Sequence, residues 1–279
     1  MELAMVNDLI VPIEEARISA HDRGLYFGDG VYEVIASRGG KLFALERHLQ
    51  RLEYSLREMQ MLAKVDMAQI RQRVEKAFGE AEISDAKVYF HVTRGRALRS
   101  HEYTEDWQPN FLLTVQKLHR SESALAKVIT HPDWRWKRCD IKSLNLLANI
   151  LAKNAARQAG AAEAILVDEN GMVTEGSSTS VFLIEGRTLR TAPLGANLLA
   201  GITRALLLEW AGDFGLEVRE ESIPVSETLQ GDELFLTGTT TGVKAISHLD
   251  GKTIADGKAG AYTEQFRQRL ETAMNEGME

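Results

Sequence analysis

Tight-turn signals recur through both halves of this chain, each flanked by short apolar runs, and this punctuation limits the fold more than any other feature. Asn7-Asp8 separates two short apolar segments, and Gly39-Gly40 separates residues 31–37 from 41–45. Further along, Glu169-Asn170-Gly171 lies between 164–167 and 172–174, residues 181–184 and 188–191 are set for another hairpin, and Asp250-Gly251 reads as one more turn. Glycine and asparagine tolerate the positive φ that tight hairpins need, so each signal predicts an antiparallel pair. Helical periodicity is interleaved with these pairs. Leu49, Leu52, Leu56 and Met59 fall on one face of a helix starting near Glu46, and a second helix is expected over 67–78. Val88, Phe90 and Val92 alternate with Tyr89 and His91 as a half-buried strand, and 111–115 reads as another. The second half predicts a strand over 127–130, a helix over 144–160 stopped by Gly160, a leucine-rich helix over 203–214, a buried strand over 234–236 and a last helix from about Tyr262.

Antiparallel strands mixed with helices in both halves predict two α+β domains with a cleft between them. The polar stretch 117–124 marks the boundary, giving an N-terminal domain over 1–118, a linker over 119–125 and a C-terminal domain over 126–279 that carries Lys142. A length of 279 residues with 44% apolar content supports cores of that size. The net charge of −7 argues against general binding to nucleic acid or to an anionic membrane surface. No segment approaches about 18 uninterrupted apolar residues, and the start lacks a basic, apolar leader, so neither a membrane span nor a signal peptide is expected. One cysteine, Cys139, rules out a disulfide within the chain and makes the cytoplasm the expected compartment. The seven histidines are scattered outside metal-ligand spacing, so no metal site is expected.

Several residues carry potential chemistry. Lys142, in Cys139-Asp140-Ile141-Lys142-Ser143-Leu144-Asn145, stands just before the apolar helical stretch. Against an apolar wall its charged form is costly, so its pKa is expected to fall and its amine to become a nucleophile; a lysine snorkelling to solvent is the plainer alternative. Ala200-Gly201-Ile202-Thr203-Arg204 opens a helix, where backbone N–H groups and the Thr203 hydroxyl could bind an anion or simply form an N-cap. The threonine-rich run Thr237-Gly238-Thr239-Thr240-Thr241 offers more amides and hydroxyls, and Arg51 a bidentate cation. Glu175, in Thr174-Glu175-Gly176-Ser177-Ser178, is either a turn residue or a partner for a protonated ring nitrogen. Tyr32 follows Gly28-Asp29-Gly30 on a strand, and Arg99 and His101 form either a solvated loop or a trap for a carboxylate.

Taken together, Asp22-Arg23-Gly24, residues 27–34, Val92-Thr93-Arg94-Gly95, residues 139–147, 174–178 and 201–204 resemble, in that order, the motifs of the fold-type IV pyridoxal-phosphate aminotransferase family. The resemblance spans about Asn7 to Gly260 and is closest to the D-amino acid transaminases within that family. It implies a two-domain α+β fold with the active site in the interdomain cleft, and pyridoxal 5'-phosphate as cofactor. Lys142 would hold the cofactor as a Schiff base and shuttle the proton, Glu175 would pair with the pyridine nitrogen, and Tyr32 would hydrogen-bond near the reactive carbon. Arg51, Ile202, Thr203 and Thr239 would bind the phosphate, Ser178 would add a cofactor contact, and Leu199 would sit against the ring. Arg99 and His101, with Tyr32 and Thr240, would take the substrate, the first two reaching across a homodimer. The implied reaction is ping-pong transamination of D-alanine with 2-oxoglutarate. An aminodeoxychorismate lyase and a branched-chain L-aminotransferase are the alternatives. The chain departs from the pattern at Gly238, where relatives usually have serine, and at Ser180, where asparagine is common.

Overall fold

The structure is a computed structural model that describes residues 1–119 and 123–277. By contacts the chain separates into two compact units, the first built on residues 1–119 and the second on most of the remainder. Residues 120–122 of the linker expected at 119–125 lie outside the described ones.

The first unit runs β1 (Leu3–Val6), β2 (Leu9–Pro12), α1 (Arg23–Phe27), β3 (Gly30–Arg38), β4 (Lys41–Leu42), α2 (Leu45–Glu58), α3 (Met67–Ala81), β5 (Ala86–Thr93) and β6 (Asn110–Lys117). Its sheet has the order β2-β1-β6-β5-β3-β4 and every pairing is antiparallel. Both expected hairpins are present, at Asn7-Asp8 and at Gly39-Gly40. The helical stripe packs inward. Leu49, Leu52 and Leu56 join Val31, Ile35, Val88, Phe90 and Leu113 in one core, and burying a leucine of this kind stabilises by about 1.5–3 kcal/mol. Asp66 caps α3 by accepting from the amides of Ala68 and Gln69.

The second unit contains β7 (Leu125–Pro132), α4 (Leu147–Gln158), β8 (Glu163–Val167), β9 (Met172–Gly176), β10 (Ser180–Glu185), β11 (Thr188–Thr191), α5 (Ile202–Trp210), β12 (Glu217–Glu220), β13 (Ile223–Pro224), β14 (Glu233–Gly238), β15 (Gly242–Leu249), β16 (Lys252–Thr253) and α6 (Ala261–Glu276). The path through its sheet is β12-β11-β10-β14-β15-β7-β8-β9-β13, with β16 paired to β15. Here the sequence expectation needs correcting, because β15–β7, β7–β8 and β11–β12 are parallel. The segment between β7 and β8 includes α4 and is long enough for a crossover, which a hairpin turn is not.

Two further expectations change. The helix after Lys142 begins at Leu147, not 144, because Leu144 donates its amide to the Gly30 carbonyl (3.0 Å) and Ser143 to that of Ile141 (2.8 Å). For the same reason Ile141–Asn145, which includes Lys142, groups with the first unit and not with a C-terminal domain. The apolar stretch that follows is also not a buried wall. Leu147, Ile150 and Leu151 are exposed, and α4 buries only Ala152 and Ala156. No helix among the described residues is long and apolar enough to cross a membrane, and no group of three His, Cys, Asp or Glu among them could hold a metal ion.

Candidate active site

In the first unit, the backbone of Lys142 is fixed at both ends. Its amide donates to Ser55 Oγ on α2 (3.1 Å), and its carbonyl accepts from Tyr32 N on β3 (2.9 Å). The side chain reaches back over that same tyrosine, with Nζ 4.3 Å from the Tyr32 ring centroid. Its neighbour is therefore an aromatic face, which attracts an ammonium, and not the aliphatic wall expected from the sequence. Successive residues of a strand face opposite sides, so Tyr32 and Glu33 serve different surroundings.

On the Tyr32 side, the ring lies 5.8 Å from that of Tyr89, whose hydroxyl meets His91 Nδ1 at 2.8 Å. Burial, reinforced by Tyr32, pushes the Tyr89 phenol up to about 12, and burial lowers the His91 imidazole. On the other side, fully buried Glu33 takes Arg51 through Nε and Nη2 (both 2.8 Å) and His48 through Nδ1 (2.7 Å). Burial raises the pKa of Glu33, but Arg51 and His48 outweigh it and hold the carboxyl well below its ordinary range. Burial depresses His48 against the pull of Glu33, and Arg51 and Lys142 also oppose its cation. Any anion that meets Arg51 thus meets a guanidinium already fixed by Glu33.

Arg99, Ser100 and His101 are exposed. The loop is nevertheless anchored, by Arg23: its guanidinium donates to the carbonyls of Ser100 (2.7 Å), His101 (3.1 Å) and Glu102 (3.1 Å) and to Asp29 (2.7 Å). Both candidate carboxylate residues flank Phe27, with the Arg99 guanidinium 5.4 Å from the ring centroid and the His101 ring 5.5 Å from it. The Asp22-Arg23-Gly24 segment therefore has a structural purpose that its sequence does not reveal, since the three carbonyls it holds are more than seventy positions away.

In the second unit, buried Glu175 on β9 is paired with Arg135, a residue the sequence reading missed. Arg135 also donates to both oxygens of Asp133 (2.9 and 2.7 Å), and Asp133 accepts from Thr174 Oγ1 (2.8 Å). Burial works against the charge on Asp133, yet the bonds from Arg135 hold its pKa below the usual value. The Leu199 amide points at Glu175 Oε1 (3.4 Å). The carboxylate expected to meet a ring nitrogen is thus already paired with a guanidinium, and the hint in the sequence was the charged Asp133-Trp134-Arg135 cluster.

Three of the residues expected to bind an anion, Ile202, Thr203 and Thr239, also lie in this unit. Helix α5 starts at Ile202 with Gly201 as N-cap and no side-chain cap, and Ile202 and Thr203 are buried. A Cβ on Gly201 would lie 2.8 Å from Ser180 Oγ, so glycine permits close backbone approach at this end. Ser180 pairs with Thr237, whose buried hydroxyl oxygen has no partner among the described atoms, and Thr239 and Thr240 lie in the following turn between β14 and β15. A Cβ on Gly238 would meet the Ser178 carbonyl at 3.6 Å, so the position has ordinary room for a Cβ. A helix N-terminus, an orphaned buried hydroxyl and a guanidinium-fixed carboxylate together suit a phosphorylated cofactor with a basic ring nitrogen.

Residues 30–249 match the family model for amino-transferase class IV. The chain is 35% identical to a D-alanine aminotransferase from Bacillus licheniformis, over 97% of this chain and 96% of that one. It is 38% identical to a D-alanine aminotransferase from Listeria monocytogenes, over 95% and 93%. Among solved structures, the branched-chain amino acid aminotransferase from Escherichia coli superposes with a TM-score of 0.89 at 21% identity, covering 100% of this chain and 96% of that one. A hypothetical aminotransferase from Mycobacterium tuberculosis in a PLP-bound form superposes with a TM-score of 0.85 at 22% identity, covering 98% of each.

Proposed function

The chain belongs to the amino-transferase class IV family, and from that premise we propose that it moves an amino group from a D-amino acid to a 2-oxo acid with pyridoxal 5'-phosphate as cofactor. D-alanine with 2-oxoglutarate, giving pyruvate and D-glutamate in two half-reactions, is the substrate pair we assign. The observation that carries the reading is near-full-length similarity to D-alanine aminotransferases, in a chain whose Lys142 amine stands over Tyr32. The branched-chain neighbours at 21% identity bear on the fold alone.

When bound, the cofactor supplies an electron sink for charge left at the substrate α-carbon. Lys142 would hold it through Nζ and, as a free amine, would carry the proton that leaves the substrate α-carbon. Tyr32 lies beneath that amine and limits its directions of approach. Glu175, paired with Arg135, would accept from the ring nitrogen and favour its protonated form. The amide of Ile202, the hydroxyls of Thr203 and Thr239, and Arg51 would hold the phosphate, while Leu199 would pack on the ring. Arg99 and His101, with Thr240, fix the substrate carboxylate, and so the face presented to Lys142. Those two residues act in the site of a partner copy. The exposed apolar side chains Leu147, Ile150 and Leu151 on α4 support a homodimer. A reaction between small amino and oxo acids, in a chain with one free buried thiol, suits the cytoplasm.

The test is a chiral assay with D- and L-alanine against 2-oxoglutarate. Turnover of the D-enantiomer alone is expected. Activity confined to L-leucine or L-isoleucine, or pyruvate release from aminodeoxychorismate with no amino acceptor, would overturn the reading.

A further inference from the structure

Glu163 opens β8 and is 2% exposed, yet none of the roles above uses it. Its carboxylate collects the hydroxyls of three consecutive residues. Ser177 donates to Oε1, while Ser178 (3.0 Å) and Thr179 (3.5 Å) donate to Oε2. The Lys153 ammonium supplies the opposite charge at 3.1 Å, and the Ala164 amide closes the set at 2.9 Å. The backbone of the same turn is held independently: Ser177 N donates to Ala164 O (2.9 Å), Asn149 Nδ2 to Ser177 O (2.9 Å) and Gly176 N to Thr179 O (2.7 Å). This turn joins Glu175 to Ser180, the two ends of the candidate cofactor site in the second unit.

A hydroxyl has one proton, and an ionised carboxylate can only accept. The protons of Ser177 and Ser178 are therefore committed to Glu163. A phosphate oxygen also only accepts, so the Ser178 hydroxyl has nothing left to donate to it. Resting on the cofactor assignment above, we propose that Glu163 is the positioning residue of the 177–179 turn and that the Ser178 hydroxyl, engaged by Glu163, is not a donor to the cofactor. The serine hydroxyls anchor the turn to Glu163.

The test compares wild type with Glu163→Gln, Glu163→Ala and Ser178→Ala, all prepared as holoenzyme. Pyridoxal-phosphate dissociation constants are measured by dialysis and visible absorbance, and melting temperatures of the cofactor-free forms are measured in parallel. Glu163→Ala is expected to weaken cofactor binding at least tenfold. Glu163→Gln, which retains one acceptor, should recover part of that loss, and Ser178→Ala should stay within about twofold of wild type. A Ser178→Ala loss as large as that of Glu163→Ala would overturn the statement that the Ser178 hydroxyl is not a cofactor donor. Lowered melting temperatures with unchanged cofactor affinity in both Glu163 variants would overturn the positioning role. A wild-type chain that binds no pyridoxal phosphate would sink the cofactor assignment itself and this inference with it, a result distinct from either of the others.

Discussion

Replacing Glu33 by glutamine tests the buried charge cluster that fixes Arg51. The side chain keeps its volume but loses its charge, at a position with zero exposure. In the native arrangement one carboxylate satisfies two guanidinium nitrogens at 2.8 Å and an imidazole nitrogen at 2.7 Å. The amide could accept from only one side, and its NH2 would confront Arg51 or force His48 into its other tautomer. Two charge-assisted bonds lost at about 1.5–3 kcal/mol each agree with the roughly 3–5 kcal/mol typical of breaking a buried pair by removing one partner. At roughly 2–4 °C per kcal/mol, the melting temperature should drop by on the order of 10 °C. Urea denaturation with and without the second change Arg51→Met separates the causes. Removing both charges should restore most of the loss, since an apolar replacement of a buried pair is often neutral. Because the pKa of Glu33 is lowered from 4.5 in the folded chain, its stabilisation is complete above that value and fades only as pH falls through the folded pKa. The gap between wild type and variant should therefore hold from about pH 8 to about pH 5. A loss below about 1 kcal/mol, the range of an exposed pair, would refute the buried ionised carboxylate.

Three further outcomes are expected. Lys142→Ala should abolish transamination while the melting temperature of the cofactor-free chain stays close to wild type, because only the side chain beyond Cβ is removed and the backbone bonds to Ser55 and Tyr32 remain. Wild-type turnover would defeat the mechanism. Arg99→Ala should raise KM for D-alanine at least tenfold with little change in cofactor retention, since the residue is exposed and its loop is held by Arg23; an unchanged KM would remove the carboxylate trap. Burial lowers the folded pKa of His48 below 6.5, so unfolding takes up a proton and stability should fall with acidification below that value, a slope that His48→Gln should flatten in urea midpoints measured across that range.

Much of the candidate site could be proposed from the sequence because its signals are local. Lys142, Glu175, Gly201 and Thr203 sit in short motifs whose residue types announce their chemistry, and the turns around Asn7-Asp8, Gly39-Gly40 and Asn170-Gly171 need only the conformational freedom of their own residues. The helical stripe Leu49, Leu52, Leu56 was likewise readable, because 3.6 residues per turn is a property of the backbone. What the sequence could not disclose is who answers each charged group. Arg135 reaches Glu175 across 40 positions, Arg23 reaches the Ser100 carbonyl across 77, and Glu163 gathers a turn 14 to 16 residues away. The parallel pairing of β7 with β8 and β15, the outward-facing leucines of α4 and the aromatic face under Lys142 belong to the same class. Local patterning determines which segments pair or coil. The partner of a buried charge depends on which distant segments pack around it, and desolvation makes that choice compulsory only once the chain has folded.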